Sequence, residues 1–340
     1  MEFETDTSRL RDAFLSVLTK GKKNNTYKFA LARFLLDYCH NTNAEPNIRY
    51  TRIAEGFFDY YWVQECKSKL RQGPANQTPH AIQIIRNNFK EDYYPQSLCK
   101  IKNTKPVQVH KCMSEIRKIC FDDVVPRFED DAEHYFGKKR TGKPHRRIFY
   151  DYLAMEYKDS SNNKKIDPGG GIRMNPHAII FLYNNYELLF RAVILEWIKF
   201  LEKRNFGIPR LAEKISGNAF AQRDQYRFRK YLASFADKCF YCGTDLKPGR
   251  CTHVDHVLPY DYVGATDLWN LVLACQKCNC TKSGWLPPKH YIDSLKKRNK
   301  QHCTRYPKLA DSLSTLGDQR DISWHYSTAQ KHGYPTWGGP

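Results

Sequence analysis

Cys239-Phe240-Tyr241-Cys242, then His253-Val254-Asp255-His256-Val257-Leu258-Pro259, then Leu268-Trp269-Asn270-Leu271-Val272-Leu273-Ala274-Cys275-Gln276-Lys277-Cys278-Asn279-Cys280-Thr281-Lys282: the reading of the whole chain turns on this stretch. It holds two Cys-x-x-Cys pairs with 32 residues between them. Twelve cysteines scattered over 340 positions give roughly 0.4 pairs at that spacing by chance. One pair therefore says little, and two flanking a short unit say more. Each pair presents two thiolates from one tight turn, and two turns complete the tetrahedral four-cysteine shell of a structural Zn2+ ion. Two buried thiol pairs without metal are the other reading. The chain is large and opens with Glu2, Glu4 and Asp6 rather than a basic and apolar leader. Reduced, metal-binding thiols in a cytoplasmic protein are thus expected before disulfides. Cys251, Cys280 and Cys303 are expected to stay unliganded.

The joint pattern Asp255-His256-x-x-Pro259, Asn270-Leu271-Val272-Leu273 and Cys275-x-x-Cys278-Asn279-x-x-Lys282 resembles the HNH endonuclease motif. The resemblance runs over roughly residues 238–284, about one seventh of the chain. It implies a ββα-metal finger, with Asp-His on the first strand, a central Asn at the start of the second and a further Asn in the helix. By that likeness Asp255 and Asn279 bind one Mg2+ or Mn2+ ion, and cleavage leaves 5′-phosphate and 3′-hydroxyl ends. His256, with an ordinary pKa near 6.5, suits the activation of water. Asn270 is expected to brace the loop carrying His256 through side-chain to backbone bonds, the role the family gives its middle Asn. Lys282, one turn past Asn279, would reach a DNA phosphate or lie on a solvated helix face. His253 is an accessory ligand or an exposed strand histidine. Many members carry Gly-Gly in the loop after the Pro, where this chain has Asp261-Tyr262-Val263-Gly264. That departure touches the loop's conformation more than the catalysis.

The wider composition suits such a substrate. Lys and Arg total 55 against 36 Asp and Glu, a formal charge of +19, while 41% hydrophobic and 14% aromatic content marks a folded chain rather than a basic tail. A field of this sign attracts polyanions, nucleic acid more commonly than an acidic membrane surface or an acidic protein, and the charge alone does not choose between them; the HNH likeness is what implies double-stranded DNA. Basic residues bracket the motif: Arg223, Arg227, Arg229 and Lys230 before it, and Lys289, Lys296, Lys297, Arg298, Lys300, Arg305 and Lys308 after it. Arg227, Arg229, Lys230, Lys282, Lys296, Lys297 and Arg298 are the nominated DNA contacts, with the Lys138–Arg147 run as an extension of the footprint. Trp285, Tyr291 and Trp324 are read as packing residues rather than base-stacking platforms.

Ahead of the motif the periodicity is helical. Helices are expected over Leu10–Leu18, Tyr27–Tyr38, Thr51–Leu70, His80–Phe89, Val107–Val125 (stopped by Pro126) and one long run from Asn175-Pro176 to Leu201. A short β-like run spans Ile148–Tyr152, and a last helix, Gln225–Phe235, leads into Cys239. The expected architecture is a mainly α N-terminal domain, residues 1–223, that targets or regulates, and a C-terminal α+β HNH domain, residues 224–340, stapled by a zinc on four cysteines. No segment reads as a membrane span. With no heptad seam the chain is expected to be a monomer or weak oligomer, one finger cutting one strand per encounter. This arrangement resembles bacterial anti-phage effectors and modification-dependent restriction nucleases, the HNH component of type II Zorya systems among them, in which other defence subunits are partners. Two alternatives stay open: a zinc-stapled DNA-binding module without catalysis, and an interaction subunit that cuts only inside a larger complex.

Overall fold

The structure, a computed structural model, describes all residues except 1, 41–43, 75–76, 91–95, 136–145, 154–156, 159–163, 166, 168, 217–225, 247–251 and 315–320. Arg223, Cys251, most of the Lys138–Arg147 run and the side chain of Arg227 lie outside the described residues. The chain divides into two compact units, Met1–Arg204 and Asn205–Pro340.

The first unit is built on helices α1 (Thr7–Thr19), α2 (Tyr27–His40), α3 (Tyr50–Tyr61), α4 (His80–Asn88), α5 (Leu98–Thr104), α6 (Pro106–Ile119), α7 (Phe121–His134), α8 (Pro176–Asn184) and α9 (Tyr186–Glu202). Between them run short strands β1 (Glu2–Phe3), β2 (Asn47–Arg49), β3 (Arg146–Arg147), β4 (Tyr150–Tyr152), β5 (Tyr157–Lys158), β6 (Lys164–Lys165) and β7 (Gly171–Met174). β7 pairs antiparallel with both β2 and β4. Phe14 meets Phe128 and Phe149 edge to face at 6.4 and 5.8 Å in the core, the geometry ring quadrupoles favour. Buried Glu129 accepts the backbone N–H groups of Ile148 and Phe149 and so ties α7 to the segment before β4.

Three helical expectations change. The run expected over Thr51–Leu70 is α-helical only to Tyr61 and continues as a π-helix over Trp62–Lys67. The run stopped by Pro126 is instead two helices, and α7 continues through Pro126. A helix-interior proline costs about 3 kcal/mol, whereas the buried Val124, Val125 and Phe128 around it each return about 1.5–3 kcal/mol. The long run from Pro176 breaks at Asn185, and α8 and α9 meet at 84°. Asn185 leaves helical geometry at φ −112°, ψ 17°, and its Nδ2 donates to the Phe181 carbonyl at 2.8 Å. Among the described residues no single helix is long and apolar enough to cross a membrane; α8 and α9 pass on length and composition only when joined across that bend.

The second unit holds α10 (Leu211–Ser216), α11 (Tyr226–Ala233), β8 (Thr252–His256), α12 (Tyr260–Val263), β9 (Leu271–Cys275), α13 (Gln276–Lys282), α14 (Lys289–Arg305), α15 (Ala310–Leu313) and α16 (Ile322–Lys331). Residues 205–216 belong to it although the composition shifts only near Asp224. Lys214 is wholly buried there, donating to the Pro209 carbonyl at 2.7 Å beside the Gly264 turn. β8 and β9 pair antiparallel, with Val254 opposite Leu273, Asp255 opposite Val272 and His256 opposite Leu271. Opposed residues share a face of the pair. Val254, Leu271 and Leu273 accordingly join Leu232, Leu268 and Leu313 in one core, and Asp255 is left on the other face.

Candidate active site and metal centre

The two Cys-x-x-Cys turns converge. Gly243, in the left-handed region at φ +71°, lets the chain turn back so that its N–H reaches the Cys239 carbonyl and the Cys239 N–H reaches that of Thr244. The Phe240 N–H bonds the Leu273 carbonyl, fastening this turn to β9. The second pair straddles the start of α13, where Cys275 Sγ accepts the Cys278 N–H at 3.5 Å. The sulfurs of Cys239, Cys242, Cys275 and Cys278 thereby lie within 4.8 Å of one another. Cys242 and Cys275 are 3.8 Å apart, matching the edge of about 3.8 Å in a sulfur tetrahedron around Zn2+ at about 2.3 Å. The Thr244 hydroxyl pulls the Cys242 thiol down to about 6, while burial pushes Cys239 and Cys278 up. A bound divalent ion would deprotonate all four. The donor set and spacing suit zinc.

Asp255 and His256 follow one another at the buried end of β8, 6% and 5% exposed. Asp255 Oδ2 accepts the Tyr241 hydroxyl at 2.5 Å and faces Lys282 Nζ at 3.0 Å. Among the described residues no partner is bonded to its other oxygen, Oδ1. The His256 ring packs edge-on against Tyr260 at 5.2 Å. Its backbone carbonyl accepts Lys282 Nζ at 2.6 Å. The strand's exit is held from across the pair: Asn270 Oδ1 accepts the Leu258 N–H at 2.8 Å, Asn270 Nδ2 donates to the Leu258 carbonyl at 2.9 Å, and the Asn270 carbonyl accepts the Val257 N–H at 2.9 Å. Asn279, half-buried, sits on α13, which packs on β8 and β9. Burial, and then the neighbouring Asp255 carboxylate, push the Tyr241 hydroxyl well above its ordinary range, so it stays a donor.

Several nominated DNA contacts are internal. Lys282 is wholly buried, its ammonium taken by Asp255 and the His256 carbonyl, and cannot meet a phosphate outside. Arg298 turns inward to the carbonyls of Leu268, Trp269 and Leu271; burial pulls its guanidinium down to about 10. Its neighbour Asn299 donates to the same Trp269 carbonyl at 2.8 Å. Lys296 is paired with Asp321 at 2.6 Å. Lys230 and Lys297 are exposed, and Arg229 is half-buried. His253 is half-buried and, two residues before Asp255 on β8, lies on the same face of the strand. Trp285 is 38% exposed rather than packed away. The sequence reading missed Tyr241, which lies inside a Cys-x-x-Cys turn where no periodicity marks its direction. It also missed the Arg298–Asn299 clamp, which the 3.6-residue period of α14 would have revealed.

Comparison with known proteins bears on this geometry. No curated protein and no solved structure matches the chain, so the whole-chain likeness to a Zorya component is not shown. The family model for HNH endonuclease matches residues 239–284, from the first metal-centre cysteine to just past Lys282. The segment that gathers the four cysteines, Asp255, His256, Asn270 and Asn279 is an HNH endonuclease domain.

Proposed function

We propose that the chain is a metal-dependent DNA endonuclease of the ββα-metal type, with His256 as general base and Asp255 with Asn279 as ligands of a Mg2+ or Mn2+ ion. The observation that supports it most is the pinning of His256: its strand exit is braced by Asn270 and its own carbonyl by Lys282, within the matched HNH domain. A general base must be held where its proton acceptor meets the water, and here the backbone from the His256 carbonyl to Leu258 is tethered. Asp255 offers Oδ1, and Asn279 an amide oxygen, a donor set hard cations accept. An ion bound there supplies Lewis-acid stabilisation of charge on the phosphate oxygens. His256 takes the proton of the attacking water, and the four-cysteine zinc holds the two turns that carry Tyr241 and α13.

Exposed basic side chains, Lys230, Lys297 and Lys300 among them, would grip the DNA backbone. With one such site per chain the protein nicks, and linear product follows as nicks accumulate. We assign the process to bacterial anti-phage defence or restriction, with the first unit, Met1–Arg204, targeting or restraining the nuclease. The test is supercoiled plasmid with Mg2+ or Mn2+, with and without EDTA, comparing wild type and His256→Ala at equal zinc content. Metal-dependent nicking lost by about 10²–10⁴ in rate in the variant is expected. A wild type inert with either ion, or a variant of normal activity, overturns the proposal.

A further inference from the structure

We propose that Lys282 is a built-in counter-cation for Asp255 that makes binding of the divalent ion depend on the arrival of the DNA phosphate. The inference rests on the reading of Asp255 as the cation ligand. The Lys282 side chain is 0% exposed and that of Asp255 8% exposed, with 3.0 Å between ammonium and carboxylate. A surface lysine steps aside when a cation approaches its carboxylate. This one is fixed: its ammonium also donates to the His256 carbonyl, and it lies 5.9 Å from the centre of the Tyr241 ring, whose hydroxyl bonds the same Asp255 oxygen. The pair carries no net charge, and Asn279, the other ligand, is neutral. A divalent ion therefore meets a compensated carboxylate and a facing ammonium. The scissile phosphate brings the negative charge that is missing. The zinc centre contributes the same field with or without DNA, so it does not alter the comparison.

Linkage makes this measurable from either side: if DNA tightens Mn2+ binding, Mn2+ tightens DNA binding by the same factor. With the cleavage-dead His256→Ala chain at constant ionic strength, anisotropy of a labelled duplex should show affinity rising about tenfold or more with Mn2+. The further change Asp255→Asn should cancel the rise. In the second measurement, Lys282→Met removes the charge and keeps the bulk. DNA-free Mn2+ binding, read by the paramagnetic resonance of free Mn2+, should tighten about tenfold or more, since a single and a double charge on one carboxylate repel by that much even when screened as in water. Tyr241→Phe removes a bond to the same oxygen without removing charge, and should leave DNA-free Mn2+ affinity near wild type. Equal Mn2+ affinity in Lys282→Met and wild type overturns the proposal, as does a His256→Ala chain whose DNA affinity ignores Mn2+. Should Lys282→Met fail to fold, the His256→Ala measurement decides alone. If Asp255→Asn by itself cleaves like wild type, the ligand assignment beneath the proposal has failed, a result distinct from the other two.

Discussion

Replacing Asn270 by alanine should weaken the second unit and the cleavage together. Asn270 and Leu258 are both wholly buried, and the two side-chain bonds of 2.8 and 2.9 Å serve the N–H and the carbonyl of Leu258. Alanine strips both and leaves a buried void of about one water's size, which a water could fill only by giving up part of its own hydrogen bonding. Each orphaned buried backbone group costs about 1–3 kcal/mol, so the pair costs about 2–6 kcal/mol. Against a typical total of about 5–15 kcal/mol that is a large fraction of stability. Asn270→Asp keeps an acceptor for the N–H but sets a carboxylate against the Leu258 carbonyl in a dry site, so it should not rescue. Urea unfolding of the zinc-loaded chain measures the effect as a lower midpoint at unchanged slope. Cleavage measured well below the unfolding midpoint should also fall, because Leu258 is two residues from His256. A stability loss under about 0.5 kcal/mol, the range of an ordinary surface change, would refute the role of these bonds.

Elemental analysis should find about one zinc per chain, and Cys275→Ser should release it and unfold the second unit, since the sulfur also caps α13; a folded, metal-free wild type would contradict this. Lys297→Ala and Lys300→Ala should each lower the slope of log K against log salt by about 1, as lost phosphate contacts do, whereas Arg298→Met should leave that slope unchanged and lower the unfolding midpoint. Burial pushes Glu129 up to about 8 from an ordinary 4.5. A raised folded pKa means its contribution is complete below about pH 4.5 and lost as pH rises through about 8. Amide exchange of Ile148 and Phe149, corrected for intrinsic base catalysis, should therefore lose protection across that window; a flat profile would show that the carboxyl stays ionised throughout.

What the sequence revealed about the fold follows from where its periodicity was undisturbed. α1 and α4 lie where the apolar spacing places them, because each buries one face and nothing competes; α2 lies where expected although it is buried nearly all round, and the run expected to Leu70 is α-helical only to Tyr61. The misreadings occur where local rules oppose tertiary burial. Pro126 stops a helix by its own chemistry, yet Val125 and Phe128 are buried enough to carry α7 through it. The Pro176–Leu201 run shows apolar residues on most faces, so its hydropathy could not show that Asn185 ends one helix and starts another. At the site, residue types and spacings identified the four cysteines as a cluster and placed Asp255 and His256 on one strand. The Tyr241 bond to Asp255 was not legible, since it joins a cysteine turn to a strand through the tertiary fold alone.

The charge of the second unit divides by a rule that the sequence does contain. Along α14 the buried positions Tyr291, Ile292, Leu295 and Asn299 recur at helical spacing, and Arg298 is seven residues past Tyr291, on the edge of that stripe. Its long side chain can therefore reach inward, and it finds three backbone carbonyls at the start of β9. Lys289, Lys297 and Lys300 lie off the stripe and are exposed. The same division separates Lys282, buried on α13, from Lys277, exposed on the same helix. A basic run thus does two jobs that composition merges. The inward members satisfy carbonyls and the Asp255 carboxylate that shape the site, where an unpaired charge would cost several kcal/mol. The outward members keep their charge for solvent, and the phosphate contacts we propose fall to them. Neutralising an outward lysine should therefore change affinity and salt dependence, and neutralising an inward one should change stability and the cation requirement.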